Sequence, residues 1–262
     1  MAADTSDIVL DNVTKRYENG HRALAGLSLT VPRGSIMGFV GLNGAGKSTT
    51  IRLLAGLDHA DDGTVLVLGH PAVSRPPVIA ARIGFVLDDP FYFEWLSGRE
   101  YCSWTGMMYG VPQAECERRT AELLRLLDLP DDDRALIGTY STGMKKKISL
   151  AAALIHAPSL LILDEPLEAV DAVAARTIKD ILTDLASRGT TVFITSHALD
   201  TVERFCTDVC IIHEGRIIVQ SPMATLADAV RPLLGDQAGA TLEENFVSLV
   251  APATTRQRLS YV

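Results

Sequence analysis

The residues that most constrain this chain are Gly41-Leu42-Asn43-Gly44-Ala45-Gly46-Lys47-Ser48, a G-x-x-x-x-G-K-[ST] run. The apolar stretch 36–40 precedes it and a helix-forming stretch at about 47–55 follows, so a buried strand delivers the run to a helix N-terminus. In that setting the glycines let backbone N–H groups turn inward around phosphate oxygens, and the helix end adds partial positive charge. Lys47 can then reach the β- and γ-phosphates of a nucleotide, Ser48 can offer its hydroxyl to Mg2+, and Thr49 follows in the same turn. Residue frequencies alone produce the pattern in about one chain per hundred of this length. Its place between strand and helix is what gives it weight.

A second constraint lies downstream. Leu160-Leu161-Ile162-Leu163-Asp164-Glu165-Pro166 is an apolar strand ending in two acids. The carboxyl ends of strands in a parallel sheet line the ligand crevice, so these acids are expected beside the phosphate loop. Asp164 is expected to hold Mg2+ through its coordinated water, and Glu165 to polarise an attacking water. Acids also open helices for dipole reasons, which Glu165 alone would satisfy. The upstream loop makes the pair a chemical one.

Strand patterns fall at 8–10, 23–31, 36–40, 64–68, 83–87, 160–163, 192–195, 209–212 and 216–219. Helical patterns fall at about 47–55, 142–156, 172–187 and 198–205, and 97–127 reads as helical throughout. Ser97 and Glu100 form a capping box there, and Leu123, Leu124, Leu126 and Leu127 give a helical face. Strands alternating with helices predict an α/β fold with a mostly parallel sheet covered on both faces. The strand-rich start predicts an added antiparallel sheet, and 89–157 reads as a helical insertion. No internal repeat is visible, so the chain holds one such unit.

Hydrophobic residues make up 47% and charged residues 21%, enough to bury a sizeable core. The formal net charge of −8 argues against a nucleic-acid partner. Asp131-Asp132-Asp133 reads as a solvated loop. The acidic N-terminus lacks the features of a signal peptide. The apolar stretch 150–163 is interrupted by His156 and Pro158 and is too short to span a bilayer. The expectation is a cytoplasmic chain, for which any membrane role needs a partner. Cys102, Cys116, Cys206 and Cys210 show no C-x-x-C spacing and are expected to be buried free thiols, although Cys206, Cys210 and His213 invite a metal reading.

The two phosphate-site motifs and the segment between them resemble the ATP-binding subunits of ABC transporters over about residues 6–222. This resemblance implies a P-loop NTPase core with a mostly parallel sheet, an added N-terminal antiparallel β-subdomain and a helical subdomain at about 89–157. The cassette would occupy 1–222. The tail 223–262 would carry a short helix, where Thr241 and Glu244 form another capping box.

Further roles follow from the resemblance residue by residue. Tyr140-Ser141-Thr142-Gly143-Met144, ahead of Lys145-Lys146-Lys147, stands where the family has its signature loop, commonly LSGGQ. Ser141 and Gly143 match and would cap the γ-phosphate bound to the opposite subunit; Thr142 and Met144 depart. Taken alone, Ser141 or Thr142 is an ordinary helix N-cap. Tyr17 stands where the family stacks an aromatic on adenine. Asp171 matches the aspartate that communicates between subunits, with Ala169-Val170 replacing the usual Gly-Leu, and His197 matches the histidine that contacts the γ-phosphate. Asp88, closing Ile83-Gly84-Phe85-Val86-Leu87-Asp88, stands where the family has a glutamine that touches Mg2+. Being shorter and anionic, it would bind the metal more strongly or repel the phosphate.

The implied function is ATP binding and hydrolysis with Mg2+, carried by Lys47, Glu165 and His197. Each chain would hold half of each site, which implies a second copy or a paralogous ATPase subunit. A separate transmembrane permease subunit would dock near residues 88–109, holding the chain on the cytoplasmic face of the membrane. Seven of the chain's fifteen aromatics fall there, with Phe91-Tyr92-Phe93 expected at the docking surface. The signature run and Leu242-Glu243-Glu244-Asn245-Phe246 look like the bacterial exporter subgroup, so the expected direction is export. Two other functions stay open. A soluble ABC ATPase of DNA repair or the ribosome usually brings a coiled coil, a second cassette or a basic surface. A degenerate nucleotide-binding regulator is favoured by Asp88 and Met144 and opposed by intact Lys47, Asp164, Glu165 and His197.

Overall fold

The computed structural model describes residues 6–88, 92–235 and 238–250. The chain runs β1 (Ser6–Arg16), β2 (Arg22–Pro32), β3 (Ile36–Val40), α1 (Lys47–Ala55), β4 (Asp62–Val67), β5 (His70–Pro71), α2 (Pro77–Ala80) and β6 (Ile83–Val86). It continues α3 (Gly98–Met108), α4 (Gln113–Leu126), α5 (Thr142–Leu154), β7 (Leu160–Asp164), α6 (Ala172–Ser187) and β8 (Thr191–Ser196). Last come α7 (Leu199–Phe205), β9 (Asp208–His213), β10 (Arg216–Pro222), α8 (Leu226–Leu234) and α9 (Leu242–Val250).

The main sheet has six strands in the order β10-β9-β3-β8-β7-β6, parallel except for the β9–β10 hairpin. Every residue of β3, β7 and β8 is buried, because a parallel sheet covered on both faces leaves no strand position for solvent. The side chains alternate between two cores. Leu161, Leu163, Val192 and Ile194 join the core that α5–α9 cover, while Leu160, Ile162, Phe193 and Phe39 join a second core with Ile51 and Leu54 of α1. That second face is closed by a four-stranded antiparallel sheet, β2-β1-β4-β5, which supplies Ile8, Leu27 and Leu29. The α/β fold with its added antiparallel layer is thus the one the strand pattern predicts.

Several details differ from expectation or sharpen it. The stretch 97–127 is two helices, broken where Gly110 takes φ +80° and Pro112 starts the next helix without an N–H to donate. Leu124 and Leu127 of the expected leucine face are buried, but Leu126 is exposed. Both capping boxes form: Ser97 with Glu100, and Thr241 with Glu244. All four cysteines are buried and free, and Cys206 and Cys210 sit in different cores, where no single ion can meet both. Asp131, Asp132 and Asp133 are exposed. Among the described residues no helix is long and apolar enough to cross a membrane.

The tail is not a loose appendage. Leu242, Phe246 and Val250, four residues apart on α9, are buried in the same core as Leu226 and Val230 of α8 and Val202 of α7.

Candidate functional site

The sheet brings the carboxyl ends of β3, β6, β7 and β8 to one edge. The loop after β3 is shaped by its glycines: Gly44 and Gly46 take φ +79° and +112°, which favour glycine. A Cβ on Gly46 would meet Leu24 Cδ2 at 2.7 Å, and one on Gly41 would meet Ile212 at 2.6 Å. The loop is therefore a fixed cradle wrapped around the start of α1, with Ala45 buried beneath it and tied by the Gly215 N–H. Lys47 is buried, and its Nζ donates to the carbonyls of Gly41 at 2.7 Å and Leu42 at 3.4 Å. A buried ammonium satisfied by two loop carbonyls is ready to exchange them for phosphate oxygens, and the first-turn N–H groups of α1 have no intrahelical acceptor.

Asp164 is buried at the end of β7, and Thr195 Oγ1 donates to its Oδ1 at 2.5 Å. Burial pushes its carboxyl above the usual range, and nearby Asp88 adds to that; the Thr195 hydrogen bond, Lys146 and Lys47 oppose it. A carboxylate disfavoured by burial in a cradle that also holds Ser48 suits a hard divalent cation with oxygen ligands, so the donor set of Asp164, Ser48 and Asp88 fits Mg2+. Next to it, Glu165 takes φ +45°, a strained conformation for a non-glycine residue. The Thr195 hydroxyl accepts from its N–H at 3.0 Å. Its Oε2 lies 3.0 Å from His197 Nδ1 and accepts from the His197 N–H at 3.3 Å.

These groups line one cleft of about 510 Å³, in which Lys47, Ser48, Asp88, Asp164, Glu165 and His197 come together with Gly41, Leu42 and Asn43. A smaller cavity of about 190 Å³ adjoins it, lined by Tyr17 with Gly44, Gly46 and Thr49. The Tyr17 hydroxyl lies 3.2 Å from Thr49 Oγ1. An aromatic ring beside the phosphate cradle is where a base can stack.

Ser141, Gly143 and Asp171 do not line this cleft. Ser141 caps α5 by accepting from the Met144 N–H at 3.2 Å, and Asp171 caps α6 by accepting from Val173 and Ala174. Those backbone hydrogen bonds, that of Ala174 foremost, hold the Asp171 carboxyl below its usual range. Gly143 has no room for a Cβ, which would meet the Ala169 carbonyl at 2.7 Å, so the two capping loops pack together. Ala169 itself has φ +59°, where the more usual glycine carries no strain.

Sequence reasoning missed five features of the cleft, Ser196 in its lining among them. Thr195 bridges Asp164 and Glu165; a threonine closing a buried strand was its only signal. Glu168 lines the cleft wall, and Leu199 and Phe246 close it from the side of α7 and α9. Nothing in the tail's local pattern connects Phe246 to a phosphate site.

The described geometry has counterparts in known proteins. The ABC transporter family matches residues 24–168 of this chain. The daunorubicin/doxorubicin resistance ATP-binding protein of Streptomyces peucetius is 37% identical over 226 residues, spanning 86% of this chain and 68% of that protein. The bacitracin transport ATP-binding protein of Bacillus licheniformis is 34% identical over 224 residues, spanning 85% and 72% respectively. A solved structure of the ATP binding subunit of an ABC transporter superposes with a TM-score of 0.83 at 29% identity, covering 92% of this chain and 98% of that one.

Proposed function

The chain belongs to the ABC transporter family as an ATP-binding subunit, and from that premise we propose that it hydrolyses ATP with Mg2+ to drive export through a separate transmembrane subunit. The observation that carries the proposal is the convergence of Lys47, Asp164, Glu165 and His197 on one cleft. Relatives named for fluoroquinolone export, in Mycobacterium tuberculosis, and Nod factor export, in Paraburkholderia xenovorans, support export.

In this scheme Lys47 and the loop N–H groups bind the phosphates, and Tyr17 takes the base. Asp164, Ser48 and Asp88 would hold Mg2+, which would supply positive charge to offset that of the phosphates. Glu165 orients a water and accepts its proton as the water oxygen bonds to the γ-phosphorus. The bond from that phosphorus to the β,γ-bridging oxygen breaks, leaving ADP and phosphate. His197, held by Glu165 just after β8, would face the terminal phosphate.

In this reading one chain would not complete the site, since Ser141 and Gly143 do not line its own cleft. A second copy or a paralogous subunit would present them to this nucleotide, with Asp171 at the contact. For the transmembrane partner, the exposed surface around Trp95 and Trp104 is the docking candidate. Trp95 is 67% exposed and Trp104 42%, and Phe93 meets both edge-on, with centroids 5.4 and 5.1 Å apart. Tyr92 turns to α5, its hydroxyl donating to the Lys145 carbonyl at 3.0 Å. Tyr109 stacks on His156 at 3.9 Å, and Phe91 lies outside the described residues. The docking surface is therefore narrower than the full aromatic run.

Phosphate release from MgATP by the purified chain tests the proposal. The parent should turn over, and Lys47→Ala and Glu165→Gln should each lose about 10²–10⁴-fold. A parent without turnover, in the presence of its membrane subunit, would leave only a nucleotide-binding role.

A further inference from the structure

The run Lys145-Lys146-Lys147 has no part in the proposed reaction, yet its three ammonium groups go to three different places. Lys145 meets Glu94 at 3.0 Å on the surface, and Lys147 donates to the Asp128 carbonyl at 3.0 Å. Lys146 turns towards the cleft. Its side chain is only 8% exposed, and its Nζ lies 3.2 Å from Oδ1 of Asp88, whose own side chain is 63% exposed. The two residues come from different elements: Asp88 follows β6, and Lys146 sits in the second turn of α5.

The buried lysine stem delivers its charge to this one open carboxylate. The surroundings supply the reason. Asp88 shares the cleft with buried Asp164 and with the cradle built for phosphate, so an unpaired Asp88 would repel the nucleotide. A divalent ion at the same carboxylate would in turn be repelled by the ammonium that sits 3.2 Å from its Oδ1. Lysine and metal compete for one ligand.

We propose, on the basis of the nucleotide-and-metal reading above, that Asp88 and Lys146 form an exchangeable ion pair. Without metal, Lys146 neutralises Asp88 and keeps the cleft open to phosphate. When metal binds, Asp88 leaves Lys146 for the ion. Lys146 is thus a positioning residue for the metal corner, acting through Asp88. Lys146 belongs to α5, the helix that Ser141 caps and whose first turn carries Gly143.

Two binding measurements on the full chain test this: ATP binding in the presence of a chelator, and Mn2+ binding to the ATP-loaded chain by electron paramagnetic resonance. Lys146→Gln should weaken metal-free ATP binding and tighten Mn2+ binding, each by roughly fivefold, the scale of one partly screened ion pair. Asp88→Asn should do the reverse, tightening metal-free ATP and weakening Mn2+. In the Asp88→Asn background, the effect of Lys146→Gln on Mn2+ should shrink to within about twofold. A role in cleft shape alone would weaken both ligands together. Same-sign shifts, unchanged affinities, or an undiminished Lys146→Gln effect in the Asp88→Asn background would each overturn the exchange. Should Lys146→Gln not fold, the opposed signs expected of Asp88→Asn decide. A parent that binds neither ATP nor Mn2+ would sink the nucleotide reading itself, whereas an intact parent with flat variants sinks only the exchange.

Discussion

At the scale of single residues, the site holds groups under tension that a ligand would relieve. Asp164 is the plainest case, because its carboxyl is raised by burial despite the Thr195 hydroxyl. A carboxyl raised in the folded state favours folding at acidic pH, and that contribution is lost as pH rises through its folded value. At neutral pH the metal-free protein therefore carries an unfavourable buried charge. Asp164→Asn keeps an acceptor for Thr195 and removes the charge, so it should raise the melting temperature of the nucleotide-free chain while abolishing Mg2+-dependent turnover. The gain should fade as pH is lowered. A destabilised Asp164→Asn variant would mean that Lys47 and Lys146 more than offset the burial. The same tension explains which residues were legible in advance. Lys47, Ser48, Asp164 and Glu165 sit in contiguous motifs whose spacing states their chemistry. Thr195 and Lys146 act through contacts with residues 31 and 58 positions away, and no local pattern encodes those.

Among the elements, the central strands were legible because burial on both faces leaves a continuous apolar run, as in Leu160–Asp164. The break between α3 and α4 was passed over because the leucine pattern continues on the far side of Gly110 and Pro112, and periodicity alone does not register a lost helical hydrogen bond. Placement of α9 was not legible at all. Its capping box announces a helix, but only the fold brings Phe246 to the cleft mouth beside Leu199. Phe246→Ala should cost about 3 kcal/mol, the low end for a buried aromatic because one side faces the cleft, and should lower turnover by loosening α7 behind His197. A melting curve matching the parent's would detach α9 from the core. The Phe93–Trp95–Trp104 cluster makes a contrasting prediction. Trp95→Ser with Trp104→Ser should leave folding and soluble turnover unchanged while abolishing co-purification with the transmembrane subunit, since both rings are substantially exposed. Normal co-purification would place docking elsewhere.

For the molecule as a whole, one chain presents a phosphate cradle on one edge and two capped loops, at Ser141 and Asp171, that do not face that cradle. The proposed pairing accounts for this: two chains head to tail would place each loop pair over the other's nucleotide. Glu165→Gln tests that claim most directly, because it keeps the cleft's shape and its binding groups while removing the proton acceptor. Sizing chromatography coupled to light scattering, with and without MgATP, should find the variant monomeric alone and dimeric with nucleotide, while the parent hydrolyses its ATP and returns to monomer. A Glu165→Gln variant that binds ATP yet remains monomeric at high protein concentration would contradict the shared site, and one that still turns over at the parent's rate would remove Glu165 from the chemistry.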